Sequence, residues 1–146
     1  MSWLSSFLTL RKPSKRQRVN AETLFSLIEH QFESCLYESC DIRLGDRDYV
    51  SLSDQEAFVC VRNVTTRYAP QTNDCDDLSN LAKGECIRKQ RNGAYDDQVA
   101  AFGQAWLTHH AVNFYLHHSG ELRIINNNGA LMPLSTLSRE ITLLLA

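Results

Sequence analysis

The second half of the chain most restricts what it can fold into. There, three short apolar runs are separated by turn-forming residues: residues 99–107, Ala111–Leu116 and Leu122–Ile125. Each has the length and the aromatic and β-branched content of a strand. His118-Ser119-Gly120 lies between the second and third and predicts a hairpin, and Asn126-Asn127-Asn128-Gly129 closes the third. The first half has a different period. Asn20 is a good N-cap for a helix over 21–36, in which Leu24, Ile28, Phe32 and Leu36 recur every fourth residue. Ser53-Asp54-Gln55-Glu56 is a capping box that predicts a helix over 54–67. A third helix is predicted over Cys75–Arg91, with Leu78, Leu81, Ala82 and Cys86 on its inner side. Residues 49–52 read as a short extended piece and 68–73 as a loop held by Pro70, while Ser135 or Ser138 is expected to cap a last helix reaching Leu145. Helices first and strands later predict an α+β domain, N-terminal helices packed on a small antiparallel sheet, and argue against a doubly wound parallel sheet.

Length and composition agree with one folded unit. The chain has 146 residues, 43% hydrophobic and 22% charged, which suits a globular domain and excludes disorder of the whole. The charge is uneven. Arg11, Lys12, Lys15, Arg16 and Arg18 make a basic cluster, and the rest is acidic, so the body is a poor binder of phosphate backbones and sequence-specific nucleic-acid recognition is not expected. Residues 1–19 read as an arm attached to a domain over 20–146. Trp3, Leu4, Phe7, Leu8 and Leu10 form an apolar strip ahead of the basic cluster, which offers a weak membrane-surface contact through residues 3–18 or a strip that docks on the body. The apolar run precedes the charges and is too short to span a bilayer, so neither a signal peptide nor a transmembrane segment is expected. The cysteines Cys35, Cys40, Cys60, Cys75 and Cys86 are odd in number and include no C-x-x-C pair. A structural zinc site has no support, and free thiols in a cytoplasmic setting are expected.

Two residues carry the chemistry. Cys75 opens the third helix, where the dipole and free backbone N–H groups stabilise a thiolate and could hold an oxyanion. Asp74, Asp76 and Asp77 oppose that effect, and they also offer hard oxygen ligands for calcium. His110 precedes an apolar strand, and the hairpin should return Asn126 or Asn127 beside it to orient the imidazole. Read alone, a cysteine at a helix start is a small core residue, and the asparagine run is a turn. Trp106 would either shield the pair or fill the core. His109 and His117 alternate away from His110.

Asp74-Cys75-Asp76-Asp77, Leu81-Ala82-Lys83 and His110-Ala111-Val112-Asn113-Phe114, followed by a short strand, together resemble the papain- and transglutaminase-like cysteine proteins of bacteria and phages. The likeness covers residues 49–133. It is nearest to short phage proteins with an Asp-Cys-Asp-Asp helix start and a His-Ala-x-Asn strand, and to the calcium-dependent protease domain of certain mushroom agglutinins. A weaker version of the pattern occurs in bacterial transglutaminase-like periplasmic proteases. The resemblance implies a papain-like fold and a cysteine peptidase or acyltransferase acting on a protein or peptide, with Cys75 as nucleophile and His110 as general base. It places Asn126 or Asn127 at the third position, with Gln71 as a candidate oxyanion donor. It also implies a phage origin, and hence a host cytoplasm. The agglutinin-like group has a glutamate at that third position and a Glu-Pro-Gln run, where this chain has Asn126-Asn127-Asn128. That departure supports the alternative expectation, a papain-like fold without the reaction that binds a host or virion protein.

Overall fold

The computed structural model describes residues 16–64 and 74–146. Eight strands and three helices follow one another as β1 (Arg18–Asn20), α1 (Ala21–Gln31), β2 (Leu36–Arg43), β3 (Asp48–Val50), α2 (Asp54–Arg62), α3 (Cys75–Arg91), β4 (Phe102–Leu107), β5 (Ala111–Leu116), β6 (Leu122–Ile125), β7 (Leu131–Met132) and β8 (Ile141–Leu145), with a 3-10 turn at Leu134–Thr136 before the last. The main sheet has the order β2-β8-β4-β5-β6-β7, and β1 and β3 form a separate two-stranded ribbon. All pairings are antiparallel except β2 with β8. The expected α+β class holds.

Side-chain alternation explains why helices lie on both faces of this sheet. Val112, Phe114, Leu116 and Ile124 pack in one buried cluster with Leu24 and Ile28 of α1 and with Phe32, the residue that caps it. The alternate residues Phe102, Tyr115 and Ile125 pack in a second cluster with Ala57, Cys60 and Val61 of α2 and Ala82 and Cys86 of α3. β5 is buried along its whole length, as a central strand covered on both sides must be. Phe32 meets Phe114 edge-on at a centroid distance of 6.3 Å.

Several sequence expectations are met at their boundaries, and others are corrected. β5, β6 and α3 lie where predicted, and the Ser53–Glu56 box closes in both directions at the start of α2. α2 ends at Arg62, and the predicted 68–73 loop lies outside the described residues. α1 ends at Gln31, five residues early, because a turn at 32–35 releases Leu36 to pair with Ile141. β4 starts at Phe102 because Ala100 forms a parallel bridge with Val50. The expected last helix is instead β8. Arg139, with φ 54°, breaks the chain after the 3-10 turn, and Ile141 and Leu144 are then buried between β2 and β4.

The arm predicted over 1–19 begins outside the described residues, but Arg16 to Val19 belong to the body. Arg16 grips both carboxylate oxygens of Glu56, at 2.8 and 2.6 Å, and donates to the carbonyl of Ser51. The Gln17 N–H donates to Ser51 Oγ at 2.8 Å, and that hydroxyl lies 2.6 Å from His118 Nδ1. On the surface beside them, Asp54 accepts from Tyr115 Oη and from Arg123. Burial resists ionisation of Glu56 and Asp54, but these donors outweigh it and hold both carboxyls below their ordinary values. Burial also lowers the His118 imidazole, against the pull of Glu56.

All three shifts have one consequence. The unfolded chain takes up a proton before the folded one does, so acid favours unfolding. The His118 contribution is complete above the ordinary imidazole value of about 6.5 and is lost below it. The carboxylate contributions are complete above the ordinary carboxylate values and are lost as pH falls through the depressed ones. Melting temperature should therefore fall in two stages between neutral pH and strong acid, and His118→Gln should remove the upper stage. A flat profile would contradict the assignment.

Candidate functional site

α3 is tied to the sheet by polar contacts unusual for a helix in a core. Ser79 Oγ donates to the Val112 carbonyl at 2.8 Å. Asn113, almost fully buried, donates from its amide to the carbonyls of Ser79 and Gly103, both at 3.0 Å. Lys83 Nζ donates to the Phe102 carbonyl at 2.6 Å. Ser79 thus lies against Val112–Asn113 and Lys83 against Phe102, whose strand partner is Tyr115. The helix therefore runs in the same direction as β5. Its first residue, Cys75, stands one turn before Ser79 and is brought toward the end of the sheet where His110 stands, two residues before Val112.

At that end, His110 Nε2 is 2.8 Å from Asn126 Oδ1. Asn126 follows β6, and its side chain also accepts from the N–H of Asn127 at 2.8 Å, which fixes the amide orientation. The sequence left Asn126 and Asn127 open as the residue beside His110; this hydrogen bond belongs to Asn126. The turn behind it requires glycine: Gly129 has φ +86°, and a Cβ there would come within 2.4 Å of the Phe58 ring. Trp106 is registered against Ala111, next to His110, and its indole N–H has no hydrogen-bond partner among the described residues. His109 is exposed, whereas His117 is partly buried and bonded to Ser119.

The start of α3 is acidic and capped. Asp74 and Asp77 form a capping box, with the Asp74 N–H donating to Asp77 Oδ2 at 3.4 Å. One carboxylate oxygen from each of Asp74, Asp76 and Asp77 falls within a cluster no more than 4.8 Å across. The Asp76 carboxyl is raised, first by its hydrogen bond with Asp74 and further by the charges of Asp74 and Asp77. Three close carboxylates of this kind suit a hard cation such as calcium. Cys75 is partly buried and makes no hydrogen bond among the described residues, with His110 or any other group. Gln71 lies outside the described residues. The sequence reading missed Ser79 and Asn113, the two residues that set the placement of α3. Their signals were a serine one turn after Cys75 and a polar residue inside the all-apolar pattern of β5.

No family model matches the chain. No curated protein matches it either. Solved structures do. A PSL1a–E64 complex superposes with a TM-score of 0.73 at 13% identity, covering 88% of this chain and 50% of that one. The lectin of Polyporus squamosus bound to the human-type influenza-binding epitope Neu5Acα2-6Galβ1-4GlcNAc gives a TM-score of 0.65 at 13% identity, covering 90% and 49%. The fold is that of part of a lectin chain. This chain spans about half the length of each of these neighbours.

These likenesses overturn the expectation of a cysteine peptidase or acyltransferase. The Polyporus squamosus neighbour is a lectin bound to a glycan, and among the described residues no hydrogen bond joins Cys75 to His110 as nucleophile and base. The hydrolase reading falls with it. Among the described residues, no helix is long and apolar enough to cross a membrane.

Proposed function

We propose that this chain is a binding module on a papain-like α+β scaffold, taking a polyhydroxylated ligand of the saccharide class beside the start of α3. The observation that carries this reading is the His110–Asn126 pair, held at 2.8 Å without a hydrogen bond from Cys75, in a fold shared with a lectin. Recognition of a sugar needs planar amide and carboxylate groups for its hydroxyls and an aromatic face for its C–H surface. Asn126, Asp76 and Asp77 supply the former at this end of the sheet, and Trp106 stands next in register to supply the latter. Calcium held by Asp74, Asp76 and Asp77 would offset the acidity of the site toward an anionic sugar. Without it, the acidic body favours a neutral one.

Isothermal titration with Neu5Acα2-6Galβ1-4GlcNAc and with its unsialylated disaccharide, each with and without calcium, tests the reading. Asn126→Ala and Trp106→Ala should each weaken binding by about tenfold or more, the scale of one lost buried hydrogen bond or stacking contact. Cys75→Ala should leave it unchanged. Failure of both sugars, or a peptide-cleaving activity that disappears in Cys75→Ala, would sink the proposal.

A protein partner is the second reading. It is favoured by β2, an eight-residue strand that among the described residues lies at the edge of the main sheet, where outer backbone groups can accept an added strand. A partner whose capture survives Asn126→Ala and Trp106→Ala but is lost when β2 is interrupted by proline would support it.

A further inference from the structure

Arg16 and Gln17 lead into β1, and the contacts that seat them on the body converge on His118. The Gln17 N–H donates to Ser51 Oγ at 2.8 Å, and Ser51 Oγ lies 2.6 Å from His118 Nδ1. The Gln17 side chain donates from Nε2 to the His118 carbonyl, also at 2.8 Å. Ser51 is fully buried, and its hydroxyl makes no other hydrogen bond among the described residues. One lone pair of that oxygen takes the Gln17 N–H, so its own proton is the one that reaches His118 Nδ1. The ring proton then sits on Nε2, which faces Glu56 Oε1 at 3.8 Å. Neutral His118 is therefore the acceptor that ends a chain of hydrogen bonds running from Gln17 through Ser51.

We propose that His118 is an acid-operated switch for this segment: when its ring takes up a second proton, Arg16 to Val19 leave β3 while the main sheet stays folded. The second proton must go to Nδ1. That nitrogen then becomes a donor, and Ser51 Oγ faces two N–H donors while its own proton is turned away from any acceptor, in a site closed to water. The surrounding charges are already committed. Glu56 and Asp54 of α2 attract an imidazolium, whereas Arg16 and the neighbouring His117, with its ring centroid 5.8 Å away, repel it. Arg16 engages both oxygens of Glu56, and the Ser53 N–H shares one of them. Tyr115 and Arg123 engage Asp54, and Asp96 lies 3.5 Å from Arg16. Release of the segment relieves these conflicts together: it withdraws Arg16, leaves Glu56 to the imidazolium and admits water to Ser51. Little else holds the strand. β1 has three residues and among the described residues pairs with β3 alone; Val19 packs against the core, and Arg18 and Asn20 are exposed. Asn20 is the hinge, because its side chain caps α1 through the Thr23 N–H. β3 stays in place through its other edge, where the Val50 N–H donates to the Val99 carbonyl and the Ala101 N–H to the Val50 carbonyl, both at 2.8 Å.

Hydrogen exchange of the full chain tests the proposal, read by mass on peptides and corrected for the intrinsic pH dependence of exchange. Between about pH 7.5 and about pH 5.5, which is one unit below the ordinary imidazole value, opening of the peptide carrying Gln17 to Val19 should rise several-fold, to a limit of about tenfold. β4 and β5 should keep their protection over the same range. Glu56 and Asp54 do not titrate there, because their donors hold both carboxyls below their ordinary values. His118→Gln should leave the Gln17–Val19 peptide equally protected at both pH values. Equal protection in the wild type, a fall that persists in His118→Gln, or a fall shared by β4 and β5 would overturn the proposal. The wild-type comparison of β1 with β5 alone decides the point if the variant fails to fold.

Discussion

Gly103→Ala is expected to destabilise the protein by about 3 kcal/mol, among the largest effects a single methyl group can have here. Gly103 lies in β4, between β5 and β8. A Cβ added to it would sit 2.1 Å from the carbonyl oxygen of Leu145, 2.7 Å from the Phe114 ring and 3.0 Å from the Ala146 side chain. The nearest of these atoms is backbone of the paired strand and cannot swing aside as a long side chain would. The Phe114 ring is itself packed edge-on against Phe32, the C-cap of α1, so relieving one clash transmits strain to the turn after that helix. Urea unfolding should show a lower midpoint with an unchanged slope. A loss below about 1 kcal/mol would mean that the approach of β8 to β4 is looser than described.

Asn113→Leu should cost about 2–3 kcal/mol although it adds apolar bulk at a buried position. Leucine fills a similar volume but leaves the carbonyls of Ser79 and Gly103 without the amide donors they now have. The loss is local as well as global: the first half of α3 is the part these bonds hold. Hydrogen exchange should therefore show α3 amides near Ser79 opening at lower free energy than those of β5. Asn113→Asp should be worse, because a carboxylate only accepts and would carry an unpaired charge into the core. A leucine variant as stable as wild type would show that the packing of Leu78, Ala82 and Cys86 alone places the helix.

These two positions also show what could be read from the amino acids and what could not. α3, β5 and β6 were legible to the residue because capping, period and turn chemistry agree in them. The His110–Asn126 contact was legible to within one residue, since a hairpin of known turn length returns its second strand to a fixed register. The absence of a Cys75–His110 hydrogen bond was not, because it depends on the seating of α3, and that depends on Asn113 and Ser79, whose signals are too faint to fix a helix position. β8 was misread as a helix because Ile141 to Leu145 is apolar apart from Thr142, and an apolar run of that length has no decisive period. β2 was missed for the opposite reason. Its edge position leaves most of its side chains exposed, so no buried alternation marks it. Arg16 was hidden in a run of basic residues from which only its pairing with Glu56 distinguishes it. The reaction inferred from the family likeness was the furthest extrapolation, resting on residue types whose meeting no spacing could guarantee.

The pairing of β2 with β8 bears on how the chain reaches this structure. Leu36 finds Ile141, and Arg43 finds Leu145, across about a hundred intervening residues, so this contact carries a heavy loop-closure penalty before it returns any energy. The local hairpin of β5 and β6 can form early, whereas β2 must wait as an unpaired edge until β8 arrives beside β4. Refolding should thus be slow for a domain of this size, and the intermediate lacking β8 is the species most exposed to self-association.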